Sequence, residues 1–390
     1  MLRLVPAVVV VLVVLFAGMW LGGHSRLLPP PVRDVVADDD VAHVDEALSR
    51  VHDDYYREVG KGELADEAIR GTVKSLDDPF SNYFDAKEYK RFREVTDARF
   101  SGIGVTVTQV EEGLRIGQVY AKSPARRSGL RAGDVILAAD GKKLAGKPEE
   151  AATQLVKGPK GTTVTLTIRR GARRFDRRVQ RAEISVPVVS SKRRSVAGKK
   201  LAYVRLEGFS SGAHAELYKA VRAAEKDKVR GIVFDLRGNP GGLVDEARLV
   251  ASAFLRDGEI VTTRGRSVDE QVYRATGDPV APKTPLVVLV DRSSASASEI
   301  VAGALQDRGR AKLVGTRTFG KGVFQEVVEL DEGGALDITV GQYFLPSGRN
   351  LGGKGTARGK GLKPDVAAKD DPKTPKRDEA LDRAYDVLAG

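Results

Sequence analysis

Leu286-Val287-Val288-Leu289-Val290, followed by Asp291-Arg292-Ser293-Ser294-Ala295-Ser296-Ala297-Ser298-Glu299, is the stretch from which the fold can be read. Five apolar residues in a row, bounded by turn formers, predict a strand buried on both faces. The small-residue turn after it leads into a helix over 297–307. The same order recurs upstream. Leu201–Leu206 reads as a strand, and the helix at 212–227 carries Leu217, Ala220, Val221 and Ala224 on one face. Gly231-Ile232-Val233-Phe234-Asp235-Leu236 is another apolar strand, followed by a Gly-rich loop and a helix near 243–255. Strands alternating with helices predict an α/β layer with a partly parallel sheet.

Farther upstream the pattern changes. Residues 100–183 show short β patterns, regular turns and many glycines, with Val105-Thr106-Val107-Thr108 and Val164-Thr165-Leu166-Thr167-Ile168 alternating as half-buried strands do. Between them, Ser123 can cap a short helix that Pro124 starts and Gly129 ends. Residues 40–97 read as helical, with Val44, Leu48, Val51 and Tyr55 at spacings of three and four, until Asp77-Asp78-Pro79-Phe80 interrupts the pattern before a second short helix at 85–96. Residues 4–22 form 19 uncharged residues behind Arg3, close to the ~20 that cross a bilayer as a helix. They predict an uncleaved anchor with the rest of the chain exported, because Ala17-Gly18-Met19 is a poor cleavage site.

Composition narrows the chemistry. The chain has 390 residues and no cysteine, which excludes disulfides, thiol catalysis and thiolate metal sites. Its four histidines, His24, His43, His52 and His214, give neither a metal site nor a local Ser-His pair. A net charge of +11 favours anionic surroundings. No nucleic-acid module accompanies it. The densest basic run, Arg169 to Arg178, reads as an edge hairpin kept soluble by charge.

Three loops at strand ends carry candidate chemistry, where open α/β sheets place their sites. Arg237-Gly238-Asn239-Pro240-Gly241-Gly242 can expose backbone N–H groups to an oxyanion, although the same residues form ordinary tight turns. The serine turn presents Ser296 at a helix N-terminus, where Ser296 and Glu299 also fit a capping box. Gly315-Thr316-Arg317-Thr318-Phe319-Gly320-Lys321-Gly322 nearly matches a phosphate-binding loop. Gly322 replaces the hydroxyl residue that would hold Mg²⁺, and Val323–Val328 reads as a strand where a helix is required. A lysine packed among apolar groups and away from carboxylates loses hydration, and its lowered pKa lets the neutral amine deprotonate a serine. Gln325, on a bulged or turning segment, could orient that amine.

Taken together in this order, the loops resemble the carboxyl-terminal processing peptidases, or tail-specific proteases, over about residues 41–367. The resemblance implies Ser296 as nucleophile, Lys321 as base, Gln325 as its orienting residue, and an oxyanion hole from Ala297 and Gly242, with Gly241 as the alternative. Residues 100–183 are similar to the family's PDZ domain. Gly102, Ile103, Gly104 and Val105 match its carboxylate-binding loop, and a helix near 148–157 matches the other wall of the peptide groove. The Gly/Lys insert near 352–361 departs from the family pattern.

The implied fold is α/β, a crotonase/Clp-protease-like core with an inserted PDZ domain, a helical N-terminal segment and a transmembrane anchor. The predicted limits are 1–24 anchor, 25–40 linker, 41–98 helical segment, 99–183 PDZ domain, 184–370 protease core, and 371–390 linker with a final helix. The implied activity is a serine endopeptidase that cleaves near the C-termini of exported proteins. It needs no metal or cofactor. Its partners would be protein substrates with free apolar tails, the cell membrane, and further copies of the chain, but no nucleic acid. The alternative is a non-catalytic PDZ tether that delivers tails to another protease.

Overall fold

The computed structural model describes residues 39–331, 333–374 and 376–390. The predicted anchor at 4–22 lies outside them, and no helix among the described residues is long and apolar enough to cross a membrane.

The chain divides into two compact units at Asp77/Asp78. The first contains the helices Asp39–Asp54 and Lys61–Lys74. Val44, Val51 and Tyr55 follow the predicted spacing yet remain exposed.

In the second unit, a six-stranded sheet runs in the order 189–196, 199–206, 232–235, 286–290, 312–315, 366–367. Its first pair is antiparallel and the others are parallel, the partly parallel layer expected from alternating strands and helices. Both faces of its central strands are covered, which is why 232–234 and Leu286–Val290 are apolar without interruption, whereas the edge strand Val189–Val196 is polar and largely exposed. Ile232, Phe234, Val288 and Val290 pack with Leu217 and Val221 of Ala213–Lys226, Val250 of Val244–Ser252, and Ile300 and Leu305 of Ala297–Asp307. The intervening Val233, Val287 and Leu289 pack on Ala380, Ala384 and Tyr385 of the final helix, Glu379–Ala389. The C-terminal helix thus completes the core.

A second sheet is antiparallel. Ala335–Phe344 pairs with Asn82–Phe84, Glu259–Gly265 and Val323–Glu329. Asn82–Phe84 is a strand in the gap between the break at 77–80 and the helix expected at 85–96, which stands as Ala86–Thr96; three residues are too few for a strand periodicity to register, and Asn82↔Asp337 pairing forms it. Val323–Glu329 is a strand, as expected, so no helix follows the Gly-Lys-Gly loop.

The segment from Val105 to Gln180 folds into a third, antiparallel sheet with the helices Pro124–Arg127 and Glu149–Val156. The strands Arg99–Gly102 and Ala182–Ser185 pair where the chain enters and leaves it, as an inserted domain requires. Arg173–Gln180 is an edge strand, and the guanidiniums of Arg170 and Arg177 lie over Phe175. The basic run is therefore the solvated hairpin its composition predicts.

Candidate active site

The serine turn joins the strand Leu286–Val290 to the helix Ala297–Asp307. The turn is tight enough to force Ser296 to φ 54°, ψ −118°, a conformation costly for any residue with a Cβ. Main-chain contacts hold it there. Asn239 O accepts Ala295 N–H (3.1 Å) and Ser298 Oγ–H (2.9 Å), and Leu236 O accepts Ser294 Oγ–H (2.8 Å). Gly241 is pressed against the turn: a Cβ there would lie 2.8 Å from both Ala295 O and Ser296 Cβ.

The Gly-rich loop itself is fixed. Asn239 Nδ2 donates to Leu206 O (3.0 Å), and Asn239 Oδ1 accepts the Gly241 N–H (2.9 Å). That N–H is spent. The N–H groups of Gly242 and Ala297 have no hydrogen-bond partner among the described residues. At the root of the loop, Arg237 bonds the Asp378 carboxylate through both terminal nitrogens (2.8 Å each) and Asp235 at 2.8 Å. Asp378 also caps the final helix through Leu381 N–H (2.8 Å), so the C-terminal segment braces the loop.

One buried carboxylate joins the serine turn to the lysine loop. Glu299 Oε2 accepts the N–H groups of Ser296 (3.1 Å) and Lys321 (3.0 Å). Its Oε1 accepts Gly320 N–H (2.7 Å) and the Thr318 hydroxyl (2.5 Å). Ser296 and Glu299 stand as a capping box, but only the Glu299 half is a full hydrogen bond. The sequence shows the cap and not the hub. Burial pushes the Glu299 pKa up, opposed by these four donors. Four donors on two oxygens are what an ionised carboxylate accepts.

Lys321 lies two residues before the strand Val323–Glu329, and the register of that strand shifts between Phe324 and Gln325. The bulge allows residue i+4 to fold back, which a regular strand forbids. Lys321 Nζ donates to Gln325 Oε1 at 2.5 Å and sits 4.8 Å from the Phe80 ring centre. The buried Tyr343 hydroxyl donates to the Lys321 carbonyl. Burial holds the amine below its usual value of 10.5, against the fields of Asp337, Asp78 and Glu299. The expectation that it lies away from carboxylates is therefore wrong: three act on it, and desolvation outweighs them. Asp337 pays the complementary cost; burial lifts it to about 6 despite Lys321.

The Gly/Lys insert closes over the lysine loop. Gly359 N–H donates to Gly320 O (2.9 Å), and the Arg358 guanidinium lies 4.3 Å from the Phe319 ring centre.

Ser296, Lys321, Gln325, Ala297, Gly241 and Gly242 are thus brought together. Gly102, Ile103, Gly104 and Val105 lie in the inserted domain. Tyr120 N–H and Ala125 N–H hold the carbonyls of Gly104 (3.0 Å) and Ile103 (2.9 Å). Gly104 has φ +82°, and a Cβ there would lie 2.4 Å from Ser123 Cβ. The loop leads into Val105–Val110, an edge strand tied at its far end to the helix Glu149–Val156 by Gln109 N–H and Glu149 (3.1 Å).

Three family models match the chain: peptidase family S41 over residues 200–368, a PDZ domain over 101–186, and the activating protease CtpB N-terminal domain over 31–88. The chain belongs to the family of the carboxy-terminal-processing serine proteases. It is 38% identical to the carboxy-terminal-processing protease of Bartonella bacilliformis, over 84% of this chain and 74% of that one. A CtpA-like serine protease of Staphylococcus haemolyticus is 36% identical over 81% of this chain, which spans 63% of that relative's length. Among solved structures, the photosystem II D1 C-terminal processing protease is similar with a TM-score of 0.51 and 29% identity, covering 88% of this chain and 91% of that one.

Proposed function

We propose that the chain is a serine endopeptidase in which Ser296 is the nucleophile and Lys321 its general base. The observation that carries this reading is a buried amine, held below its usual pKa, whose loop shares one carboxylate oxygen with the serine turn. Neutral Lys321 takes the Ser296 proton as Oγ attacks the scissile carbonyl. The developing oxyanion is held by the N–H groups of Gly242 and Ala297; the engagement of Gly241 N–H by Asn239 favours Gly242. The ammonium returns its proton to the leaving amine, and water then hydrolyses the acyl-enzyme by the same path.

The Gly102–Val105 loop receives the substrate's terminal carboxylate, and the tail adds as a strand to Val105–Val110. Residues 4–22 anchor the chain, with the catalytic part outside the cytoplasm and acting on exported proteins. Protease added to intact protoplasts should then degrade residues 25–390, and full protection would contradict this placement.

The catalytic reading is tested with an unfolded protein and a peptide bearing a free C-terminus. Ser296→Ala should abolish cleavage of both. Amidating the peptide tail removes the charge and should slow cleavage about tenfold, the scale of a charge-assisted hydrogen bond. Tail binding without turnover by the parent chain would favour the tether, and equal rates for acid and amide would contradict carboxylate recognition.

A further inference from the structure

In the inserted domain the tail groove lies between the edge strand Val105–Val110 and the helix Glu149–Val156. Successive residues of a strand turn their N–H and C=O groups toward opposite edges. Gly104 O is spent inside the sheet on Tyr120 N–H (3.0 Å), whereas Gln109 N–H leaves the sheet for Glu149 (3.1 Å). The odd-numbered residues Val105, Val107 and Gln109 therefore face the groove. They are the template on which an added strand pairs.

The far end of that template is occupied. Glu149 Oε2 holds the Gln109 N–H, and Gln109 Nε2 donates to Lys147 O (2.7 Å), so the start of the helix is drawn across the end of the strand. The helix is itself pinned at both ends to Ala86–Thr96, by Glu150 with Arg91 and by Lys157 Nζ with Glu94 (2.8 Å). These pairs hold it over the strand end.

A tail with its carboxylate on the Gly102–Val105 loop runs antiparallel along this strand, and the pairing advances two residues at a time. Its last residue meets Val105, its third-last meets Val107, and its fifth-last meets Gln109. The first two positions are open. At the third, the tail's carbonyl and the Glu149 carboxylate are two acceptors competing for one N–H.

We propose that Glu149 is a specificity-determining residue that closes the tail groove, so that the protease reads only the last four residues of its substrate. This rests on the reading of the Gly102–Val105 loop as the carboxylate site. Residues before the fourth-last add no affinity, and unrelated proteins that share a four-residue ending compete as equals.

The test uses the full chain in detergent on a Ser296→Ala background, which binds tails without cutting them. The probes are acetylated alanine peptides of three to eight residues with a C-terminal valine. With Glu149 present, Kd should fall with length up to four residues and then stay within about twofold. Glu149→Ala frees the Gln109 N–H, so peptides of five or more residues should gain about fivefold, the scale of one hydrogen bond, and the four-residue peptide should not change. Glu149→Gln keeps an accepting oxygen and should leave the length dependence as it was. Affinity that climbs steadily past four residues with Glu149 in place would overturn the proposal. So would an unchanged length dependence in Glu149→Ala, or an equal gain in Glu149→Gln. Amidated peptides separate this result from the reading beneath it. Equal binding of acid and amide defeats the carboxylate site itself, whereas a clear preference for the acid with no break at four residues defeats the role of Glu149 alone.

Discussion

The serine turn and the lysine loop are held in place by different means. Ser296 is positioned chiefly by its own turn and the main chain beside it: a strained φ, ψ, the carbonyls of Asn239 and Leu236, and a glycine with no room for a Cβ, with Glu299 accepting its N–H. Lys321 is positioned by side chains: the nearby Gln325, and Glu299, Tyr343 and Phe80 from distant segments. A nucleophile needs a fixed location, which a rigid turn provides. A base needs a fixed location and an altered proton affinity, and only a surrounding of chosen side chains provides both.

This contrast can be broken at the serine end. Gly241→Ala forces a Cβ to 2.8 Å from Ala295 O and Ser296 Cβ at φ +104°. Displacing the nucleophile and its neighbouring donors should cost about 100-fold or more in kcat, the scale of a lost oxyanion donor. Activity within threefold of the parent would show that the main chain does not set the site. Ser298→Ala is the mild counterpart, because it removes one hydroxyl bond to Asn239 O and leaves the turn's backbone intact. It should cost about 1 kcal/mol of stability and lower Tm by about 2–4 °C, with kcat within about threefold. A larger kcat loss here than in Gly241→Ala would reverse the comparison.

The same contrast explains what was legible in the sequence. The serine end is local: an apolar strand, a small-residue turn and a helix lie in one stretch, so 286–307 reads directly. The first loop is local too, and so is the strand after Lys321, which rejects the phosphate-loop reading. Gln325 was within reach because a Gly-flanked start permits a bulge. The rest of the lysine's surroundings was not. Phe80 and Ser81 reach the lysine and its strands because Asn82–Phe84 joins the edge of Ala335–Phe344, a pairing too short to leave a pattern. Glu299 reads as a helix cap because its bond to Ser296 is local, whereas its bonds to Thr318, Gly320 and Lys321 cross the fold. The three carboxylates around Lys321 likewise come from separate segments, which is why the sequence suggests an apolar setting. The paired 232–235 and 286–290 runs predict a sheet buried on both faces, but not that residues 379–389 cover one of them.

The most direct test of the account is the pH dependence of kcat/KM for the parent and for Lys321→Arg, between pH 5 and 10. The active form carries a neutral amine, so the parent's activity should rise with pH through a midpoint below the ordinary lysine value of 10.5. Arginine keeps the charge and most of the length but does not lose its proton in this range, so Lys321→Arg should be inactive throughout. An active arginine variant with an unchanged profile would contradict the dyad.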